Sequence, residues 1–381
     1  MTKQEITLND RFDLTKSPVL LNGTQAMVRL MLMQAARDRA VGLATAGYVT
    51  GYRGSPLGAV DLQMQRAQKE LAEAQVLFQP GLNEDLAATA LWGSQQADLR
   101  GEGKHDGVFG LWYGKGPGVD RSGDVMRHAN MAGTAPHGGV LMAMGDDHTG
   151  ESSTTLHQSD WAMVDAYMPI VSPAGVQEIL DYGLYGWALS RYSGCWVGFK
   201  TTAETAQTAA NVSIDPERIQ IVEPDDFEMP PGGLNIRWPD PPLQQEERLH
   251  RYKLYAALAF ARANKLDKRV IDNPHKRRLG IITAGKGYLD LRQALDDLGI
   301  DEELAAEIGL SVYKVAMSWP LEREGIRAFA EGLDEVVIVE EKRAFIENQV
   351  REQLYNWRED VRPRVVGKFD EHGQWMLPSF G

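Results

Sequence analysis

The 381 residues are 43% hydrophobic, 24% charged and 8% aromatic, a globular composition that at roughly 100 to 200 residues per domain suffices for two or three domains. A formal charge of -13 argues against nucleic acid as a partner, since such proteins present clustered Lys and Arg. No run of about 18 apolar residues occurs and the start lacks a secretory pattern, so no membrane span and a cytoplasmic location are expected; the single cysteine, Cys195, excludes a disulfide framework, a four-thiolate zinc site and an iron-sulfur cluster held by this chain's own thiolates.

The first predicted helix starts near Asn22, with Met27, Leu30 and Met31 on one stripe, and leads to a strand-like stretch from Ala46 to Tyr52. A helix from Ala59 to Gln75, the apolar run Val76 to Phe78 and a helix from Asn83 to Leu99 follow. Next come a strand from Gly107 to Tyr113, a helical stretch from Asp120 to Ala132, a strand from Val140 to Met144, a helix from Ala174 to Arg191 and a strand from Cys195 to Lys200. This alternation predicts an α/β domain over residues 20–213, a mostly parallel sheet with helices on both faces and ligands at the carboxyl ends of the strands.

Residues 216–242 hold seven of the eighteen prolines and read as a semi-rigid linker that spaces two domains; a helix from Gln245 to Lys265 follows it, and together they span 214–275. A second alternation occupies 276–368. Its predicted strands are Arg278 to Thr283, Ser311 to Ala316, Val336 to Glu340 and Val365-Val366, and its helices are Lys286 to Leu298, Arg323 to Gly332 and Phe345 to Trp357. It reads as a smaller α/β domain.

Thirteen of the 38 glycines fall between Gly101 and Gly150, where bare backbone at strand ends either makes tight turns or lets a ligand approach. The turn Gly51 to Gly58 follows a strand and precedes a helix, yet it is neither a phosphate-binding P-loop nor a dinucleotide fingerprint. Asn83-Glu84-Asp85 opens a helix; read alone it is a cap with two acids at the positive end of the dipole, and a fixed hydrogen-bond acceptor is the alternative. Five of the eight histidines lie between His105 and His157 without any recognised metal spacing, so no metal site is expected. They read, with Ser152 to Thr155, as a polar loop at the mouth of the sheet, and His148 is a candidate proton carrier. No Gly-x-Ser-x-Gly elbow supports a hydrolase.

Taken together these segments resemble the thiamine-diphosphate-dependent 2-oxoacid:ferredoxin oxidoreductases, most closely the indolepyruvate type. Gly51-Tyr-Arg-Gly-Ser-Pro56 is similar to that family's Tyr-Pro-Gly-Thr-Pro turn, with Arg53 and Ser55 in its second and fourth places. Asn83-Glu84 resembles its Asn-Glu motif, and Gly139 to His148 resembles its apolar strand ending in Asp-Asp before a Ser-rich loop. The stretch Gly110 to Met126 is similar to the large fused bacterial form. The segments starting at Leu279 and Val336 resemble the transketolase C-terminal-like domain of the same enzymes.

The resemblance implies that the first domain binds the aminopyrimidine half of thiamine diphosphate, with Glu84 hydrogen-bonding a pyrimidine ring nitrogen and Gly54 and Asp124 beside the cofactor. Ser55 and His148 are the implied substrate residues, and Arg53, which stands where the family has proline, is either a contact for the substrate carboxylate or one half of a surface ion pair. The implied reaction is oxidative decarboxylation of a 2-oxoacid, with acyl transfer to coenzyme A and electrons passed through iron-sulfur clusters to ferredoxin. Trp112, Tyr113 and Trp161 suit indolepyruvate or another arylpyruvate if they line the cleft, and are otherwise core residues. Two family features are missing, however. No Gly-Asp-Gly motif is present to hold the magnesium-bound diphosphate, Gly145-Asp-Asp147 being a poor substitute, and no Cys-rich segment exists. The chain is therefore expected to be the first part of a larger enzyme or a subunit needing a diphosphate-binding partner, inactive alone and homodimeric. The alternatives are a non-catalytic assembly module and a transketolase-like transferase component.

Overall fold

The structure is a computed structural model and describes residues 7–215 and 218–379; the secretory reading of the extreme N-terminus and Pro216 of the linker lie outside the described residues. In chain order the strands are β1 Val19–Asn22, β2 Ala46–Gly51, β3 Val76–Phe78, β4 Val108–Lys115, β5 Val140–Asp146, β6 Ile170–Val171 and β7 Val197–Thr202. They continue with β8 Ala209–Val212, β9 Lys268–Ile271, β10 Leu279–Ala284, β11 Leu310–Val315, β12 Met317–Trp319, β13 Glu335–Val339 and β14 Arg364–Val366.

Seven of them form one sheet in the order β12-β6-β7-β5-β4-β2-β3, parallel throughout except for β12. Both faces are covered, as a parallel sheet requires. Leu111, Tyr113, Leu141 and Ala143 point to one face, where helices Gly23–Ala40 and Val176–Ser193 pack. The intervening Trp112, Val140, Met142 and Met144 point to the other, against helix Glu84–Gln95. A second sheet, β14-β13-β10-β11-β9, is parallel apart from β9, and β1 pairs with β8. The expected α/β architecture is therefore present. No helix among the described residues is long and apolar enough to cross a membrane.

Some predicted helices are interrupted. The stretch 59–75 divides at Ala67 into Ala59–Arg66 and Gln68–Glu73, and the helical stretch before Ala132 divides at Ser122 into Gly116–Arg121 and Gly123–Ala132.

Two features join the domains differently from the expectation. The proline-rich segment is a strap on the first domain and does not act as a spacer: the Ile236 N–H donates to the Thr134 carbonyl at 3.0 Å, Asn235 Nδ2 donates to the Arg191 carbonyl at 2.9 Å, and Leu234 is buried. A π-turn, Leu249–Lys253, then sends the fully buried Lys253 ammonium onto the carbonyls of Asn130, Met131 and Gly194 at 3.0–3.3 Å. Those carbonyls end two helices, where a cation is favoured.

The second departure is β12. After β11 in the small sheet the chain passes through Ala316 and enters the large sheet, antiparallel to β6. Asp267 Oδ1 accepts the N–H groups of Ala316 and Met317 at 2.7 and 3.2 Å at this crossing, and Ser172 N–H donates to the Ala316 carbonyl at 2.8 Å. One apolar cluster runs through the joint, from Met163 and Ile170 to Ile282, Tyr313 and Val336.

Burial lifts the Asp267 carboxyl to about 7 despite its two N–H bonds, and burial likewise lifts Glu340, which accepts the N–H groups of Phe345, Ile346 and Glu347, to about 7. The folded chain thus holds protons that the unfolded chain releases near pH 4. The stability they contribute is complete below the unfolded value and is lost as pH rises to about 7. Urea titrations between pH 4 and 7 are expected to show Asp267→Asn removing about 1.4 kcal/mol per pH unit from the slope, one proton's share; an unchanged slope contradicts this.

Candidate functional site

The carboxyl ends of β2, β4 and β5 carry the loops expected to hold a ligand. Gly51 lies against β4, with no room for a Cβ, which would stand 2.1 Å from the Tyr113 carbonyl oxygen. The turn then crosses Lys115, whose side chain packs on Gly54, and reaches β5, where Pro56 and Leu57 cover Gly145. The Gly81 N–H returns to the Gly51 carbonyl at 2.8 Å and delivers Asn83, whose side chain caps helix Glu84–Gln95 by accepting the Leu86 N–H at 2.9 Å.

Glu84 is therefore fixed at the first helical position. Its carbonyl accepts the Trp112 indole N–H at 3.0 Å, and its side chain, 8% exposed, lies against Gly118 of the short helix Gly116–Arg121. A Cβ on Gly118 would approach the Glu84 side chain to 2.4 Å at Cγ and 2.8 Å at Oε1. Among the described residues nothing hydrogen-bonds the Glu84 carboxylate. The residue is largely buried while its carboxylate oxygens keep contact with solvent, an arrangement that leaves an acceptor open to a ligand.

The loop after β5 is internally braced. Asp147 accepts the N–H groups of Gly150, Glu151, Ser152 and Ser153 at 2.7–3.0 Å; desolvation opposes its charge, but these bonds outweigh it and hold the carboxyl below its ordinary value. Ser159 bonds Asp146 through its N–H and hydroxyl at 2.8 and 2.6 Å. His157 stands between two carboxylates, Asp120 at 2.8 Å from Nε2 and Asp146 at 3.6 Å from Nδ1, and the Asp146 contact above all raises its pKa. Lys200 forms a buried pair with Asp160 at 2.6 Å.

The structure brings some of the sequence-predicted residues together. Ser55 meets Ser152 hydroxyl to hydroxyl, joining the first turn to the polar loop, and Gly54 and Glu84 flank the same strand end. Arg53 is exposed at the rim and makes no ion pair among the described residues. Asp124 lies apart: its side chain, 91% exposed, pairs with His128 one turn along at 3.7 Å, because it sits on the outward face of helix Gly123–Ala132. His148 is buried beneath the loop, its Nδ1 3.1 Å from the His157 carbonyl, and burial with the nearby Lys200 charge lowers it to about 4, so it is neutral at pH 7. Trp112 and Tyr113 are fully buried in the core, and the partly exposed Trp161 packs edge-on to Phe345 at 5.3 Å. No group of three or more His, Cys, Asp or Glu side chains among the described residues is placed to hold a metal ion.

Sequence reading missed Gly118 and the bridging position of His157. Their signals were the paired glycines of Gly116-Pro-Gly118 and the histidine count, neither of which specifies a contact.

The fold defines an α/β protein whose parallel sheet gathers these loops at the carboxyl ends of its strands, and the comparisons with known proteins agree on that fold. Residues 267–378 match the model of the indolepyruvate ferredoxin oxidoreductase middle domain. The chain is 25% identical to the indolepyruvate oxidoreductase subunit IorA of Pyrococcus abyssi over 92% of this chain and 49% of that protein. It is 23% identical to IorA of Methanothermobacter marburgensis over 87% of this chain and 48% of that protein. Thus the chain spans about half the length of the curated relatives it matches. In fold it is similar to the 2-oxoglutarate:ferredoxin oxidoreductase from Magnetococcus marinus solved with 2-oxoglutarate, coenzyme A and succinyl-CoA bound, with a TM-score of 0.64, 15% identity, and coverage of 92% of this chain and 62% of that one. In sequence the chain is thus similar to indolepyruvate oxidoreductase subunits, and in fold to a 2-oxoacid:ferredoxin oxidoreductase, in line with the resemblance its motifs carry.

Gly118→Ala is expected to displace the Glu84 carboxylate and to cost about 1–3 kcal/mol, the range for overpacking a filled site. Chemical denaturation beside a structure of the variant checks both; an unmoved Glu84 refutes the contact.

Proposed function

We propose that this chain supplies the pyrimidine-binding side of a thiamine diphosphate site in an enzyme that oxidatively decarboxylates 2-oxoacids. One observation carries the reading: Glu84 is a largely buried residue whose carboxylate has no hydrogen-bonding partner among the described residues and stays open to solvent, fixed by a capped helix and faced by a glycine. A ring nitrogen of an aminopyrimidine is a fitting partner for it, because a charge-assisted hydrogen bond in a desolvated place is roughly twice as strong as a neutral one.

In this reading Glu84 holds the ring and polarises it, and Gly118 leaves the carboxylate room. Bound thiamine diphosphate supplies the reactive carbon and the electron sink. Gly54 lets the first turn lie close to Lys115, and Ser55 presents a hydroxyl to the 2-oxoacid. Arg53 at the rim is free to meet a substrate carboxylate. Indolepyruvate or a related arylpyruvate is the proposed substrate on the strength of the relatives' names.

Magnesium with the diphosphate, and the iron-sulfur clusters, are proposed to be held by segments or subunits outside the described residues. Ferredoxin as acceptor, coenzyme A as co-substrate, homodimeric assembly and a cytoplasmic setting complete the proposal, with the chain inactive by itself.

Glu84→Gln keeps the size and the cap but removes the charge. In the assembled enzyme it is expected to lower the rate of 2-oxoacid-dependent viologen reduction by about 10²–10⁴-fold, the usual span for a proton-directing group, with unfolding unchanged. Near-normal turnover sinks the assignment.

A further inference from the structure

We propose that His157 is a positioning residue that locks helix Gly116–Arg121 to the loop after β5 and so holds Gly118 against the Glu84 carboxylate. The inference deepens the thiamine diphosphate reading and rests on it for its functional consequence, though not for the contact itself.

The geometry is a two-sided clamp. His157 Nε2 is 2.8 Å from Asp120 Oδ2 on the helix, and Nδ1 is 3.6 Å from Asp146 Oδ1 at the end of β5. The imidazole ring lies flat enough on the helix start that a Cβ at Gly116 would stand 2.3 Å from its Cγ. Two residues of backbone, little more than half a turn, therefore separate His157 from the Glu84 contact at Gly118. Nε2 faces Asp120, and Nδ1 faces Ser159 Oγ at 3.2 Å, whose own hydrogen goes to Asp146, so only the imidazolium has an N–H for each side.

Every charged neighbour bears on that state. From the helix comes Asp120, which is 61% exposed, and from β5 comes Asp146, which is wholly buried. On the loop itself, Ser159 Oγ lies 3.2 Å from His157 Nδ1, and the neutral His148 bonds the His157 carbonyl. Behind Asp146 stands the Lys200–Asp160 pair, contributed by β7 and helix Asp160–Asp165. Two carboxylates within 4 Å of His157 outweigh one ammonium already committed to Asp160, so the imidazolium is favoured. Its folded pKa stands above the unfolded value, so the clamp is complete below about pH 6.5 and is lost as pH rises through the folded value.

Removing His157 leaves Asp146 with both Ser159 bonds and the Lys200 field, so the sheet edge has no reason to collapse. Asp120 is mostly exposed, which makes Asp120→Asn a second variant that spares the core.

The experiment has two readouts. In the chain, amide hydrogen exchange over residues 116–132, corrected for intrinsic rates, is expected to be about tenfold faster at pH 9 than at pH 6, the loss of one charge-assisted bond. His157→Asn should be equally loose at both pH values, and Asp120→Asn should move the transition to lower pH. In the assembled enzyme, both variants should raise the KM for thiamine diphosphate about tenfold with kcat little changed.

Identical exchange in wild type and both variants overturns the clamp, and so does loosened exchange with an unmoved KM. If Glu84→Gln is inactive while the His157 and Asp120 variants take up cofactor normally, the clamp is wrong and the cofactor reading stands. If Glu84→Gln is fully active, the cofactor reading fails and the exchange data alone decide the contact.

Discussion

Asp267 binds two consecutive backbone N–H groups at the place where the chain leaves one sheet and enters the other, and the relation between the two halves depends on that bond pair. Without β12 the large sheet would end at β6, a strand of two residues. With it, the small domain supplies the outer strand of the large one, and a single apolar cluster passes through the joint. A rigid linker is thus unnecessary: strand pairing sets the domain relation, while the proline-rich strap and Lys253 tighten the far side of the first domain. The family-model match begins at residue 267, the residue that makes the joint.

The candidate site follows from a division of labour along the edge of the large sheet. Asp147 spends its charge on four backbone N–H groups and gives the polar loop a shape. Asp146 holds Ser159 and His157, and Asp160 holds Lys200. Each of these carboxylates has partners. Glu84 is set by backbone and packing alone, and among the described residues its carboxylate makes no hydrogen bond and remains available. An acid reserved in this manner is a stronger functional signal than an acid in a first helical turn, which dipole and capping effects explain unaided.

That contrast also marks what was legible in the sequence. The alternation of apolar runs with helical stripes placed β2, β4, β5, β7, β10 and β13, because both faces of a parallel sheet are buried and the pattern repeats. Two-residue β6 and three-residue β12 left no such pattern; β12 exists because β6 offers it an edge, which is a tertiary fact. The strap was visible as prolines, but whether prolines space domains or lie on one depends on partners such as Thr134 and Arg191 far away in sequence. At the site, Glu84 and Ser55 were proposed by motif likeness. Asp124 was carried over on the same likeness and faces outward, since a one-residue rotation on a helix turns a side chain through about 100°.

The short helix Gly116–Arg121 explains why these separate contacts act as one. Gly116 and Gly118 are two residues apart, so at 3.6 residues per turn they face nearly opposite directions. The His157 ring lies on the first and the Glu84 carboxylate on the second, with Pro117 stiffening the backbone between them. A side chain at either glycine would force the turn away from one neighbour or the other. The turn is therefore a wedge whose thickness is one bare backbone, and the position of the reserved carboxylate is set as much by the loop on the far side of that wedge as by the helix on which Glu84 itself resides.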